Sequence, residues 1–95
     1  MELQKKLEII IEDGYVTTVL EYLSECDIKA YTLIQNVAGR GVHGEIDGQD
    51  LSGALQNSYI FTVCDQDKAQ QVTLLLKPLI TSIRGLVIMS DVLKL

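Results

Sequence analysis

Between Lys6 and Glu12 the chain reads KLEIIIE, which sets Leu7, Ile9 and Ile11 on one side of an extended segment and Ile10 on the other. That alternation predicts a first strand. Asp13 is placed to cap the next segment, where Val16, Val19, Leu20 and Leu23 recur at i, i+3, i+4 and i+7, the apolar stripe of a helix. Asp27–Lys29 reads as a turn, and AYTLIQNV from Ala30 to Val37 has the β-branched and aromatic content of a second strand. Ser58–Cys64 (SYIFTVC) predicts a third. Asp65 suits a helix N-cap, and Ala69, Val72, Leu76 and Leu79, with Leu75 and Ile80, mark the inward face of a second helix. Pro78 lacks an amide hydrogen, so a kink or an early end is expected there. Thr81–Gly85 (TSIRG) turns the chain, and Leu86–Met89 begins a fourth strand.

Strand, helix, strand, strand, helix, strand is the grammar of two right-handed split β-α-β halves. The expected fold is therefore α+β and ferredoxin-like, βαββαβ, a four-stranded antiparallel sheet with both helices on one face. A sheet wet on its other face should alternate apolar and polar residues. Ile9-Ile10-Ile11, Tyr59-Ile60-Phe61 and Leu86-Val87-Ile88-Met89 do not; they are apolar on both sides. Soluble monomers rarely expose a large apolar patch, so a subunit interface is expected on the face without helices.

The connection between the second and third strands does not fit a tight hairpin, which needs two to five residues. The stretch Asn36–Asn57 holds five of the chain's seven glycines and no lysine. The amides of Gly39, Arg40 and Gly41 suit either a strand-exit turn or an anion-binding concavity, with Arg40 supplying charge. Arg40 and Arg84 are the only arginines, and both stand beside glycines at loop positions where a guanidinium fork can meet phosphate oxygens. Further along come Glu45, Asp47 and Asp50 with no compensating base, charges that suit either a basic partner surface, such as the cytoplasmic side of a transporter, or simply a soluble loop.

Composition narrows the functions. The 95 residues make one domain, 1–95, and 47% hydrophobic content is too much for a disordered chain. A formal charge of −5 argues against nucleic-acid binding, which needs a basic footprint. The longest apolar runs are too short to span a bilayer, and MELQKKLEII lacks the core and cleavage site of a secretory leader, so a cytosolic protein is expected. Cys26 and Cys64 form no CxxC and read as buried thiols, with a disulfide or metal pair as the alternative. There is no GxSxG, HExxH or P-loop, and acylphosphatases of the same topology need a basic loop where this chain has EDG. No enzyme is expected.

AYTLIQNVAGRG, the long glycine-containing loop, SYIFTVC and RGLVIMSDVL together resemble the PII signal-transduction superfamily. The resemblance implies a homotrimer whose sheets face a central axis. It implies adenine nucleotides (AMP, ADP, ATP or cyclic AMP) as effectors, held in clefts between subunits. It also implies a flexible T-loop, here residues 38–57, that regulates a partner. By position, Thr32, Gly39, Arg40, Gly41, Ser82, Arg84 and Gly85 would line the nucleotide cleft, while Val42, His43, Gly44, Glu45, Asp47 and Asp50 would meet the partner. The nitrogen-sensing members have a glutamine where Gly41 stands and a longer glycine- and lysine-containing turn before the last strand. They also carry a modifiable T-loop tyrosine, whereas residues 38–57 contain none. AGRG is more similar to the GGKG-type segment of the PII-like proteins associated with bicarbonate transport. That likeness implies a regulator recruited to a membrane transporter. The alternative is a trimeric divalent-metal-binding or metal-tolerance protein with His43 as a ligand.

Overall fold

The computed structural model describes residues 1–39 and 56–95. Its elements are β1 (Glu2–Glu12), a 3-10 turn (Asp13–Tyr15), α1 (Val16–Glu25), β2 (Thr32–Val37), β3 (Asn57–Cys64), α2 (Gln66–Ser82) and β4 (Leu86–Lys94). The strands form one antiparallel sheet in the order β2-β3-β1-β4, so the two halves interleave as the ferredoxin-like topology requires.

Alternation along the two central strands builds the core. Leu7, Ile9 and Ile11 of β1 are fully buried, and β3 sets Ser58, Ile60, Thr62 and Cys64 on the same side. Val19 and Leu23 of α1 and Ala69, Val72 and Leu76 of α2 close over them. Both helices therefore cover one face. At the C-terminus of α1, Asp27 takes the left-handed conformation at φ 58 that glycine usually supplies. The Asp27 amide donates to the Ser24 carbonyl at 3.0 Å and the Ile28 amide to the Leu23 carbonyl at 2.8 Å, which seats Ile28 in the core. At the start of α2, the Asp65 carboxylate accepts the Lys68 amide at 2.9 Å, the cap that the sequence pattern anticipates.

Several boundaries differ from the expectations. β1 starts at Glu2 rather than Lys6, because β4 runs on to Lys94 and pairs with it down to Glu2↔Lys94. β2 starts at Thr32 rather than Ala30. Asp13 does not cap α1; its carboxylate is taken by the Ser58 hydroxyl of β3. Helix α2 continues through Pro78 to Ser82. Leu74, whose carbonyl loses its amide partner to Pro78, is exposed, as is Pro78 itself, so water can satisfy that oxygen. Thr81 and Ser82 close the helix, donating their hydroxyls to the Lys77 and Leu79 carbonyls, and the turn shrinks to Ile83–Gly85.

The second face of the sheet carries no element among the described residues. Register aligns Ile34, Tyr59, Ile10 and Leu86 in one row across it and Thr32, Phe61, Glu8 and Ile88 in the next. Ile34, Leu86 and Ile88 are 49%, 50% and 48% exposed, the patch that the doubly apolar strands foretold. One polar island interrupts it. The Tyr59 hydroxyl donates to Glu8 at 2.7 Å, Lys6 pairs with Glu8 at 3.8 Å, and the Lys6 ammonium lies 5.0 Å from the Phe61 ring centroid.

Candidate functional site

Strand direction and register gather most of the candidate positions at one end of the sheet. β2 ends at Val37 and β3 begins at Asn57, its pairing partner, so the long connection is 38–56 and Asn57 belongs to the strand. The pairing advances three residues on β2 from Ile34 to Val37 but two on β3, a β-bulge with Asn36 at φ 59. The bulge redirects β2 just before the connection departs. Asparagine tolerates this left-handed geometry, and Asn36 was its only sequence signal.

Gly39 follows at the exit of β2. A Cβ there would meet nothing within 4 Å, so the described fold itself makes no demand for glycine at this position. Gly85 is the opposite case. A Cβ there would lie 2.7 Å from Ile80 Cδ1 and 3.3 Å from the Ile10 carbonyl oxygen, so close helix-to-strand packing favours glycine. The Gly85 amide donates to the Ile83 carbonyl at 3.1 Å, closing a tight turn that leaves Arg84 exposed beside it.

Gly39 and Arg84–Gly85 share an end of the sheet but not an edge. The first leaves from β2 and the second enters β4, the two outer strands of β2-β3-β1-β4. Three inter-strand steps separate those edges, about 14 Å. Ser82 sits with Arg84 but inside the helix, its hydroxyl held by the Leu79 carbonyl at 2.9 Å. Thr32 is not with either group. It begins β2, exposed on the open face and seven residues from Gly39, about 20 Å away along the strand. Arg40, Gly41, Val42, His43, Gly44, Glu45, Asp47 and Asp50 lie outside the described residues.

At the other end of the sheet is a concavity that sequence reasoning missed. Its volume is about 370 Å³, and Lys29, Lys68 and Lys94 line it with Asp27, Asp65 and Ala30. Lys68 reaches the Asp27 carboxylate at 3.4 Å and its carbonyl at 3.2 Å, and Lys29 lies 3.7 Å from the same carboxylate. Three ammonium groups against two carboxylates leave one net positive charge in an acidic protein. Spread over 65 positions of sequence, these lysines gave no local motif to find. Thr32 is two residues from Ala30 and so lies nearer this concavity than Gly39.

Cys64 also borders the concavity, and Cys26 caps α1; both are free, buried thiols. Burial raises both thiol pKa values, so neither is an activated nucleophile. Among the described residues no group of three metal-ligating side chains occurs. No described helix is long and apolar enough to cross a membrane.

The strand order, the long β2–β3 connection and a sheet face left open among the described residues define a ferredoxin-like α+β domain. The chain matches the model for nitrogen regulatory protein P-II over residues 4–95, and it belongs to that family. Comparison with curated protein sequences gives no match. Among solved structures it is similar to CPII, a nitrogen regulatory PII-like protein from Thiomonas intermedia K12 bound to ADP, AMP and bicarbonate. The TM-score is 0.84 at 23% identity, covering 96% of this chain and 87% of that one. A PII-like signalling protein from Thermus thermophilus gives 0.73 at 18% identity, covering 97% and 91%. The regulatory subunit of aspartate kinase from Thermus flavus gives 0.53 at 23% identity, with 93% of this chain on 52% of that one. At these identities the structural likeness establishes the fold.

Proposed function

We propose that the chain is a non-catalytic, homotrimeric regulator. It binds an adenine nucleotide in clefts between subunits, and the connection 38–56 acts as a T-loop on a protein partner. The observation that carries this reading is the separation of Gly39 and Arg84 on opposite edges of one sheet end. The β2 edge of one copy set beside the β4 edge of the next brings both walls to one pocket. Such an interface is heterologous, and a threefold rotation closes it into a ring. The apolar rows around Ile34, Ile10, Leu86 and Ile88 supply the surface for packing.

Family membership supports a regulatory role, and CPII, which shares the fold, binds ADP, AMP and bicarbonate. Arg84 and Arg40 supply forked donors for phosphate oxygens, and the lysines of the opposite concavity offer a second anionic contact. The nucleotide acts by differential affinity: it favours whichever T-loop arrangement it binds better, and that arrangement sets affinity for the partner. The partner class is a transporter with a basic cytoplasmic face, which would bring a cytoplasmic protein to the membrane through Glu45, Asp47 and Asp50.

Calorimetric titration with AMP, ADP, ATP, cyclic AMP and divalent metals tests the proposal. The expected result is micromolar binding of at least one nucleotide, abolished by Arg84→Ala. Failure of every nucleotide to bind would refute it, and metal binding alone, lost with His43→Ala, would favour the metal-tolerance reading.

A further inference from the structure

In a chain of formal charge −5, three of the eight basic residues converge on the concavity at the Cys64 end of the sheet. They arrive from three elements: Lys29 from the turn after α1, Lys68 from the first turn of α2 and Lys94 from the end of β4. The acceptors there are already engaged. The Asp65 carboxylate takes the Lys68 amide at 2.9 Å, and the Asp27 carboxylate meets Lys68 at 3.4 Å and Lys29 at 3.7 Å. The donors are not exhausted. An ammonium has three N–H groups. Lys68 turns two toward the Asp27 carbonyl and carboxylate, which hold it in place and leave one over. Among the described residues Lys94 makes no ion pair. Buried Ile28 and Cys64 and the side chain of Val63 complete the lining, and about 370 Å³ is within the range of small-molecule sites, about 300–1,000 Å³.

We propose that this concavity is a phosphoryl-binding site formed by Lys29, Lys68 and Lys94 of a single subunit, for inorganic phosphate or the phosphate of a small phosphoester. Lysine acts on an anion as a point charge, whereas a planar carboxylate is best met by an arginine fork, and no arginine lines the concavity. Ammonium groups approaching from three elements suit a compact anion with oxygens in several directions. Asp65 already caps α2, so the attraction comes from the lysines and not from the helix end. Asp27 opposes it, neutralising part of the Lys68 and Lys29 charge and keeping binding reversible. The site gives the second anionic contact of the proposed function its ligand, and rests on that reading for its role alone. It lies at the opposite end of the sheet from Gly39 and Arg84.

The test is a titration of the full chain with inorganic phosphate and with glycerol phosphate, read by backbone amide shifts at ionic strength held constant with sodium chloride. Wild type, Lys94→Gln and Asp27→Asn are compared; asparagine tolerates the left-handed backbone at position 27. At least one probe should give saturable shifts at Ile28–Ala30, Asp65–Lys68 and Lys94. Its affinity should fall about three- to fivefold in Lys94→Gln, the scale of one partly exposed charge contact, and rise by a similar factor in Asp27→Asn. A residue that only packs would not bind an anion better on losing a carboxylate. The stronger probe names the source of the phosphoryl group. No saturable shift, equal affinity in all three proteins, or the same shifts with chloride alone (an adventitious ion only) overturns the site. A parallel ADP titration separates the two readings: phosphate bound without any nucleotide sinks the proposed function and keeps the site, and nucleotide bound with neither phosphate probe does the reverse.

Discussion

Replacing Gly85 with alanine separates a structural glycine from a ligand-facing one. The added methyl would lie 2.7 Å from Ile80 Cδ1, 3.3 Å from the Ile10 carbonyl oxygen and 3.8 Å from Ile11 Cγ1. The Ile80 tip can swing, but the carbonyl belongs to β1 at its pairing with Leu86 and cannot move without disturbing that ladder. Overpacking of this kind costs about 1–3 kcal/mol. The backbone at Gly85 is not left-handed, so alanine recovers about 0.4–1 kcal/mol by restricting the unfolded chain. The net expectation is a loss of about 1–2 kcal/mol in urea unfolding, with the denaturant slope unchanged. Ile80→Val removes the clashing methyl, so the double variant should lose less than the two single losses added together, by about 1 kcal/mol. Wild-type stability in Gly85→Ala, or strict additivity with Ile80→Val, would refute this packing argument and return Gly85 to the ligand.

Three further outcomes concern other parts of the molecule. Ile88→Glu should leave the single chain folded, since Ile88 is already 48% exposed, but should dissociate the proposed trimer by placing carboxylates on the face assigned to its interface; an unchanged mass in sedimentation would contradict it. Asp65→Ala, which deletes the cap on the Lys68 amide, should lower the unfolding free energy by about 1 kcal/mol, measured by urea titration. Alkaline pH should destabilise the fold. Burial raises Cys26 and Cys64 above the ordinary thiol value of 9.0, and the hydrogen bond to Glu8, with burial, raises Tyr59 above 10.0. The folded state then keeps protons that the unfolded chain releases, so stability is full below about pH 9 and falls as pH rises beyond it. Urea midpoints from about pH 7 to 10.5 test this, and absorbance near 295 nm should show one of the four tyrosines titrating late.

Regular elements were legible where one physical rule acts alone. The period-two runs of β1 and β3, the stripe Val16–Val19–Leu20–Leu23 and the Asp65 cap all depend on local spacing, and all appear in the structure. The apolar face left open among the described residues was legible for the same reason, as a breakdown of alternation. What escaped was non-local. The extension of β1 back to Glu2 comes from its pairing with β4, roughly ninety residues away. Asp13 carries the signature of a cap, but a buried hydroxyl on β3 takes its carboxylate instead. Pro78 reads as a helix end only if its environment is ignored; on an exposed side, water relieves it. The three lysines of the concavity meet only after α1, α2 and β4 have packed. The separation of Gly39 from Arg84 across the sheet is likewise a product of strand order, and the proposed intersubunit pocket is built on it.

The proposed pocket between subunits is most directly tested by sedimentation equilibrium of the intact chain. A mass three times the 10.5 kDa of one chain, held across dilution into the low micromolar range, is the expected result. A single-chain mass under the same conditions would leave each cleft with one wall and contradict the account.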